Sequence, residues 1–242
     1  MNKKKIVIVL LALLAAAALY KTLAQTAASD KLSATISSGY QNNLIDRGQV
    51  ISSENSTYVN SVISTPLGKG FDGTFGLNYS GLNQVNNNHL QLTTGVGRSV
   101  KVGGFTQYIS LDLAKRIDSA PMLEAYQADL TFRFTELPVP MINSLFTPVV
   151  TLSKTWNGNN QGIQLGGNRV DRFTVLSRDF VLDSSAVYGT FENYDFVHVG
   201  TDLSTRIYGK VNLHGGIGYL NVLSGPQEGS TTPVRVGLSM KF

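Results

Sequence analysis

The chain has 242 residues, a formal net charge of +4, no cysteine, and 24 glycines against 7 prolines. Lys3, Lys4, Lys5 and Lys21 lie before residue 25, where there is no acid, so they account for the whole excess and leave the remainder neutral. That balance excludes a basic stripe for neutralising phosphates, and with it a nucleic-acid partner; the missing thiols exclude a disulfide scaffold.

The first thirty residues run from Lys3–Lys5 through an unbroken apolar stretch, Ile6 to Tyr20, to the small residues Ala24, Ala27 and Ala28. Basic, apolar, small is the order of a secretory signal peptide, and the run is short of the ~20 residues of a spanning helix. The expected organisation is a signal peptide over 1–24, cleaved after Ala24 or Ala28, and a single domain over 29–242. A retained anchor helix is the competing reading.

Beyond residue 30 the pattern has period two, the signature of strands. Phe71, Phe75, Leu77 and Tyr79 alternate with Asp72, Thr74, Gly76 and Asn78. Tyr126, Ala128, Leu130, Phe132 and Phe134 alternate with Gln127, Asp129, Thr131, Arg133 and Thr135. Val211, Leu213, Ile217 and Tyr219 do the same among Asn212, His214, Gly216 and Gly218. Twelve such segments are predicted, over 31–40, 55–65, 70–80, 89–98, 104–113, 124–135, 145–156, 162–176, 180–191, 196–204, 209–221 and 233–242. Soluble strands average ~5–6 residues, whereas a tilted membrane-crossing strand needs ~9–11. The expected fold is therefore all-β: an antiparallel up-and-down transmembrane β-barrel of about twelve strands, with ten to fourteen compatible with the same pattern. A soluble exported β-sandwich is the competing fold.

The connections obey the parity of such a barrel, with long outer loops and short inner turns. The stretches 41–54, 81–88, 114–123 and 222–232 are long and polar or contain proline, and 66–69, 99–103, 177–179 and 205–208 are short. The inner connection 136–144 is too long for the rule, and 157–161 and 192–195 are short for outer loops. A cation facing hydrocarbon at midplane costs roughly 2–4 kcal/mol, so the charged phase of each strand should face the lumen. That assigns Asp129, Arg133, His198, Asp202, Lys210, His214 and Arg235 to the lumen, where they would set polarity and selectivity. Lys154 falls in the apolar phase, but two residues from Trp156, the only tryptophan, where a long cationic chain can snorkel to the interface.

The chain ends in VRVGLSMKF, with Val236, Leu238 and Met240 alternating up to a terminal Phe242. This ending resembles the C-terminal assembly signal of Gram-negative outer-membrane β-barrel proteins. The resemblance implies recognition of Val236, Leu238, Met240 and Phe242 by the barrel-assembly machinery. It also implies outer-membrane lipid as the surroundings and the cell outer membrane as the location. The stretch LSATISSGYQNNLIDRGQ is similar to that of uncharacterised porin-like barrels whose first strand runs into a Tyr and then an Arg-Gly in the first loop, here Tyr40, Arg47 and Gly48.

Catalytic and ligand motifs are sparse. GKGFDG at Gly68–Gly73 fits a dinucleotide fingerprint, but it opens a strand rather than a helix, and reads as an inner turn. His89, His198 and His214 are dispersed; His198, Asp202 and His214 could line one wall, but the bland reading of polar lumen lining is favoured over a metal site. Membrane phospholipases and lipid-A deacylases place a His two residues before a Ser; HLQL, HVGT and HGGI lack it, and no Asp-His dipeptide of the omptin kind occurs. No catalytic residue, metal or cofactor is assigned. The expected function is a narrow passive pore for small hydrophilic solutes, with weak ion selectivity because both charge signs face inward. A filled barrel that presents its outer loops to a partner is the alternative, and a barrel enzyme with an unrecognised site is the third reading.

Overall fold

The computed structural model describes residues 32–46, 49–52, 55–82, 88–118, 125–137, 145–156 and 160–242. The predicted signal peptide, and Arg47 and Gly48, lie outside the described residues. The strands are β1 (Ser33–Gln41), β2 (Leu44–Asp46), β3 (Gln49–Ser52), β4 (Ser56–Gly68), β5 (Phe71–Leu82), β6 (Asn88–Val102), β7 (Phe105–Asp118) and β8 (Ala125–Glu136). They continue with β9 (Thr147–Thr155), β10 (Asn160–Val175), β11 (Arg178–Phe191), β12 (Tyr194–Tyr208), β13 (Val211–Ser224), β14 (Gly229–Thr231) and β15 (Val234–Lys241).

Twelve of these close into one antiparallel barrel. Each pairs with the next long strand, and β15 pairs with both β13 and β1. The twelve predicted segments correspond one to one with the barrel strands. Closure leaves no open sheet edge along the length the strands share, so the ladder groups there pair with one another rather than with water. The last residue takes part: the Phe242 amide donates to the Ala34 carbonyl at 2.8 Å, and the Ala34 amide donates back at 3.4 Å. At this β1–β15 seam Gly39 lies directly opposite Gly237. Buried Tyr58 on β4 lays its hydroxyl over that pair and meets His214 Nε2 of β13 at 3.3 Å.

Several strands outrun their predicted segments. β6 extends to Val102 rather than stopping near Arg98, because outward Arg98 interrupts the apolar phase, which resumes at Val100 and Val102. At one end the connections are tight. Lys69 sits at φ 52° between Gly68 and Gly70, and Leu176 and Ser177 both take positive φ, 50° and 61°, joining β10 to β11. Two successive positive φ values suit the right-handed twist of a hairpin. We call this the turn end; both ends of the barrel's strand series emerge there. The other is the loop end.

Directly paired residues share a face of the sheet. On the outer face Leu111, Leu113, Leu152, Leu165, Val199, Leu203, Leu213, Val236 and Leu238 are exposed. Exposed Tyr126, Trp156, Tyr188 and Tyr219 lie toward the loop end, and Phe71, Phe105 and Phe173 toward the turn end. An apolar band between two aromatic girdles is the surface that lipid requires. Outward cations sit at its margins: Lys115 Nζ lies 5.2 Å from the Tyr126 ring centroid, and the Arg98 guanidinium 5.0 Å from that of Phe71. Lys154, paired with Ala128, faces outward near the loop end as its phase predicts. Outward Arg169 forms a bidentate pair with Asp171 (2.7 Å at the closest), where β10 extends past the first residue of β9 toward the turn end. Among the described residues no helix is long and apolar enough to cross a membrane.

Candidate functional site

The inner wall is built by the charged phase. Arg133 pairs with Tyr108 and Val149; Asp202 pairs with Asp183 and Gly216; Gly216 pairs with Arg235. These pairings put Asp129, Arg133, His198, Asp202, His214 and Arg235 on the inward face. Val236, Leu238 and Met240 face outward, opposite Arg235, Gly237 and Ser239. Lys210 lies in the turn between β12 and β13, its Nζ 6.0 Å from the Phe242 ring centroid, so it sits at the turn-end rim.

A cavity of about 620 Å³ occupies the lumen. Arg133, His198, Asp202 and Arg235 line it, with the amides Gln41, Asn43, Gln164 and Asn168 and the hydroxyls of Thr151 and Ser185. Its floor is smooth because Gly166, Gly200, Gly216 and Gly218 place no side chain there. Asp129 shares the face but lies nearer the loop end, opposite Asp112, hydrogen-bonded by the Gln127 amide.

Three of the predicted residues converge. Arg235 Nε donates to Asp202 Oδ2 at 2.6 Å, and His214 Nδ1 lies 3.8 Å from Asp202 Oδ1. The pairing ties β15 to β12 across β13, and Tyr58 extends it to β4 through His214. His198 lines the cavity two inward positions from Asp202 on β12, nearer the loop end. Among the described residues no group of three His, Cys, Asp or Glu side chains stands close enough to hold a metal ion.

The first loop is not a simple polar cover. Its residues form the hairpin β2–β3, which folds into the mouth at the loop end. There Phe191, Tyr194, Phe196, Leu220 and Val222 form a buried apolar cluster on the inner wall, and Ile45 and Val50 of the hairpin pack on it. The Phe191 and Tyr194 rings stack at 4.9 Å. Gly189 makes room for the Phe196 ring, since a Cβ there would lie 2.1 Å from it. The last loop pins the hairpin. Gln227 accepts from the Val50 amide at 3.1 Å and donates to its carbonyl at 3.2 Å, and Asn42 accepts from the Val234 amide at 2.7 Å. Asn42 and Asn43 both donate to the Thr232 carbonyl.

Sequence reasoning missed this hairpin, and it missed Asp183 and Tyr58. The signal for Asp183 was present but masked: its phase on β11 also carries Val181 and Val187, which blurs the alternation.

No family model and no curated protein matches the chain. Among solved structures the fold is similar to that of the NanC porin, with a TM-score of 0.54 at 12% identity, covering 86% of this chain and 100% of that one. It is similar to the KdgM porin, with a TM-score of 0.52 at 15% identity over 86% and 99%. An outer-membrane channel from Pseudomonas putida F1 gives 0.51 at 9% identity over 89% and 97%. At these identities the likeness is one of fold: the chain has the closed β-barrel architecture found in outer-membrane porins and channels.

Proposed function

We propose that the chain is an outer-membrane barrel acting as a narrow passive diffusion pore for small hydrophilic solutes. One observation carries this reading: a polar, charge-lined cavity of about 620 Å³ inside a closed barrel whose outer face is apolar between aromatic girdles. A water-filled lumen lets a hydrated solute pass without meeting lipid, and the lining decides which solutes gain. The β2–β3 hairpin is the constriction. Residues 1–24 act as the cleaved export signal, and Val236, Leu238, Met240 and Phe242 as the strand read by the barrel-assembly machinery. The hydrogen-bonded placement of Phe242 against Ala34 supports that role. The reading has no catalytic step and invokes no cofactor.

With Arg133, Arg235, Asp183 and Asp202 all on the cavity wall, ion selectivity should be weak. The test is single-channel current from the mature protein in a planar bilayer. Discrete current steps are expected, and Arg133→Glu should move the reversal potential toward cation preference. Lys210→Glu, at the turn-end rim, should move it in the same direction by less. Reversal potentials unchanged in both variants would take these residues out of the conduction path.

The second reading, a filled barrel presenting its loops, is favoured by the hairpin and the apolar cluster beneath it. It predicts a protein that inserts and stays silent.

A further inference from the structure

Five charged or titratable side chains line the cavity: Arg133, Asp183, His198, Asp202 and Arg235. Asp202 and Arg235 are in contact at 2.6 Å and cancel. Among the described residues no side-chain hydrogen bond or ion pair holds Arg133 or Asp183. Apart from His198 and the Asp202–Arg235 pair, the cavity therefore carries one cation, on β8, and one carboxylate, on β11, each unpaired among the described residues.

The register fixes where these two stand. Inward pairs run in a row from Arg133 through Val149 and Gly166 to Val187. The row climbs toward the loop end, because Arg133 is near the turn end of β8 and Val187 near the loop end of β11. At ~4.8 Å per strand and a tilt of ~40°, three steps climb ~10 Å. Asp183 lies four residues before Val187 on β11, toward the turn end. At ~3.3 Å per residue and the same tilt, that descends ~10 Å. The two displacements cancel. Arg133 and Asp183 stand at one height, about a quarter of the circumference apart, with β9 and β10 between them. That intervening wall is Val149, Thr151, Gln164, Gly166 and Asn168, which adds polar groups but no charge.

We propose that this transverse pair makes the lumen selective for zwitterionic solutes, short peptides with free termini above all, through Arg133 on the carboxylate and Asp183 on the ammonium. The proposal rests on the pore reading and deepens it. A neutral solute gains from neither group. An anion or a cation gains from one and is opposed by the other. A dipolar molecule turned across the pore gains from both, and its two charges must be several bonds apart to reach both walls.

The test is uptake into proteoliposomes holding the mature protein, comparing triglycine with a neutral hexose of similar mass. Triglycine is expected to enter about threefold faster or more, the effect of two opposite charges acting through a partly aqueous medium. The R133Q/D183N double variant should lose the preference, and the R133K/D183E pair should keep it. Arg133→Gln alone should move the reversal potential toward cations and Asp183→Asn alone toward anions. Equal rates in the unaltered protein overturn the proposal. So does a preference that survives in R133Q/D183N, or a protein that conducts potassium chloride but admits neither solute. A protein with no current at all instead refutes the pore reading, and this inference with it.

Discussion

Gly237 is a position where adding one carbon should be costly. It lies at the closing seam opposite Gly39. A Cβ there would stand 2.3 Å from the Ser38 carbonyl oxygen, 2.6 Å from the Tyr58 hydroxyl and 3.0 Å from the Gly39 Cα. Two of those three neighbours are backbone, so no rotamer relieves them; the strands themselves must part. Overpacking of this kind costs about 1–3 kcal/mol, against a gain of roughly 0.5–1 kcal/mol from replacing a strand glycine with alanine. Gly215 on the neighbouring strand is the control, since its Cβ would meet only the Arg235 carbonyl at 3.7 Å. Gly237→Ala should therefore lower stability by about 2 kcal/mol, and Gly215→Ala should leave it level or raise it by about 0.5 kcal/mol. The assay is urea unfolding in lipid vesicles, followed by fluorescence of the single tryptophan, Trp156. Tyr58→Phe, which removes the hydrogen bond to His214, should cost about 1 kcal/mol alone. Combined with Gly237→Ala it should cost less than the sum, because the hydroxyl that crowds the new methyl is gone. Equal stabilities for the two alanine variants, within about 0.5 kcal/mol, would refute the close-seam argument.

Ile45→Ser with Val50→Ser removes the apolar face that seats the hairpin on Phe196 and its neighbours, about 1 kcal/mol for each partly buried side chain. Single-channel records should then show larger or noisier current levels; identical traces would mean that the hairpin is no constriction. Ser177→Gly relieves a left-handed residue at the β10–β11 turn and should raise stability by about 1 kcal/mol, read as a higher urea midpoint. Phe242→Ala should slow insertion, with less folded protein in the outer-membrane fraction of expressing cells; undiminished insertion would remove the assembly role from that residue.

The strands were legible because their information is local. Each alternates an apolar outer residue with a small or polar inner one, and lipid punishes an error of phase on the outer face. Phase alone therefore put Arg133, His198, Asp202, His214 and Arg235 on the inner wall and Val236, Leu238 and Met240 on the outer. The ends of the strands were less legible. The ladder of β6 runs on to Val102, but the cation Arg98 stands in its outward phase and hides the apolar Val100 and Val102 beyond it. The hairpin was not legible at all. β2 and β3 are three and four residues long, too short to show a period, and the cluster they cover lies on β11, β12 and β13, far along the chain.

Height in the barrel was hidden for a different reason. Alternation says which wall a residue faces but not its level in the pore, which depends on adding register across every intervening strand. Arg133 and Asp183 share a level only because three interstrand steps and four residues of β11 offset one another. A shift of two residues at any one of those three pairings would keep both side chains inside. It would also move them apart along the axis by roughly 5 Å. The facing of each charge is thus a property of its own strand, and the field that the charges make together is a property of closure. A barrel of this kind can alter what it admits by changing register while its alternating pattern stays the same.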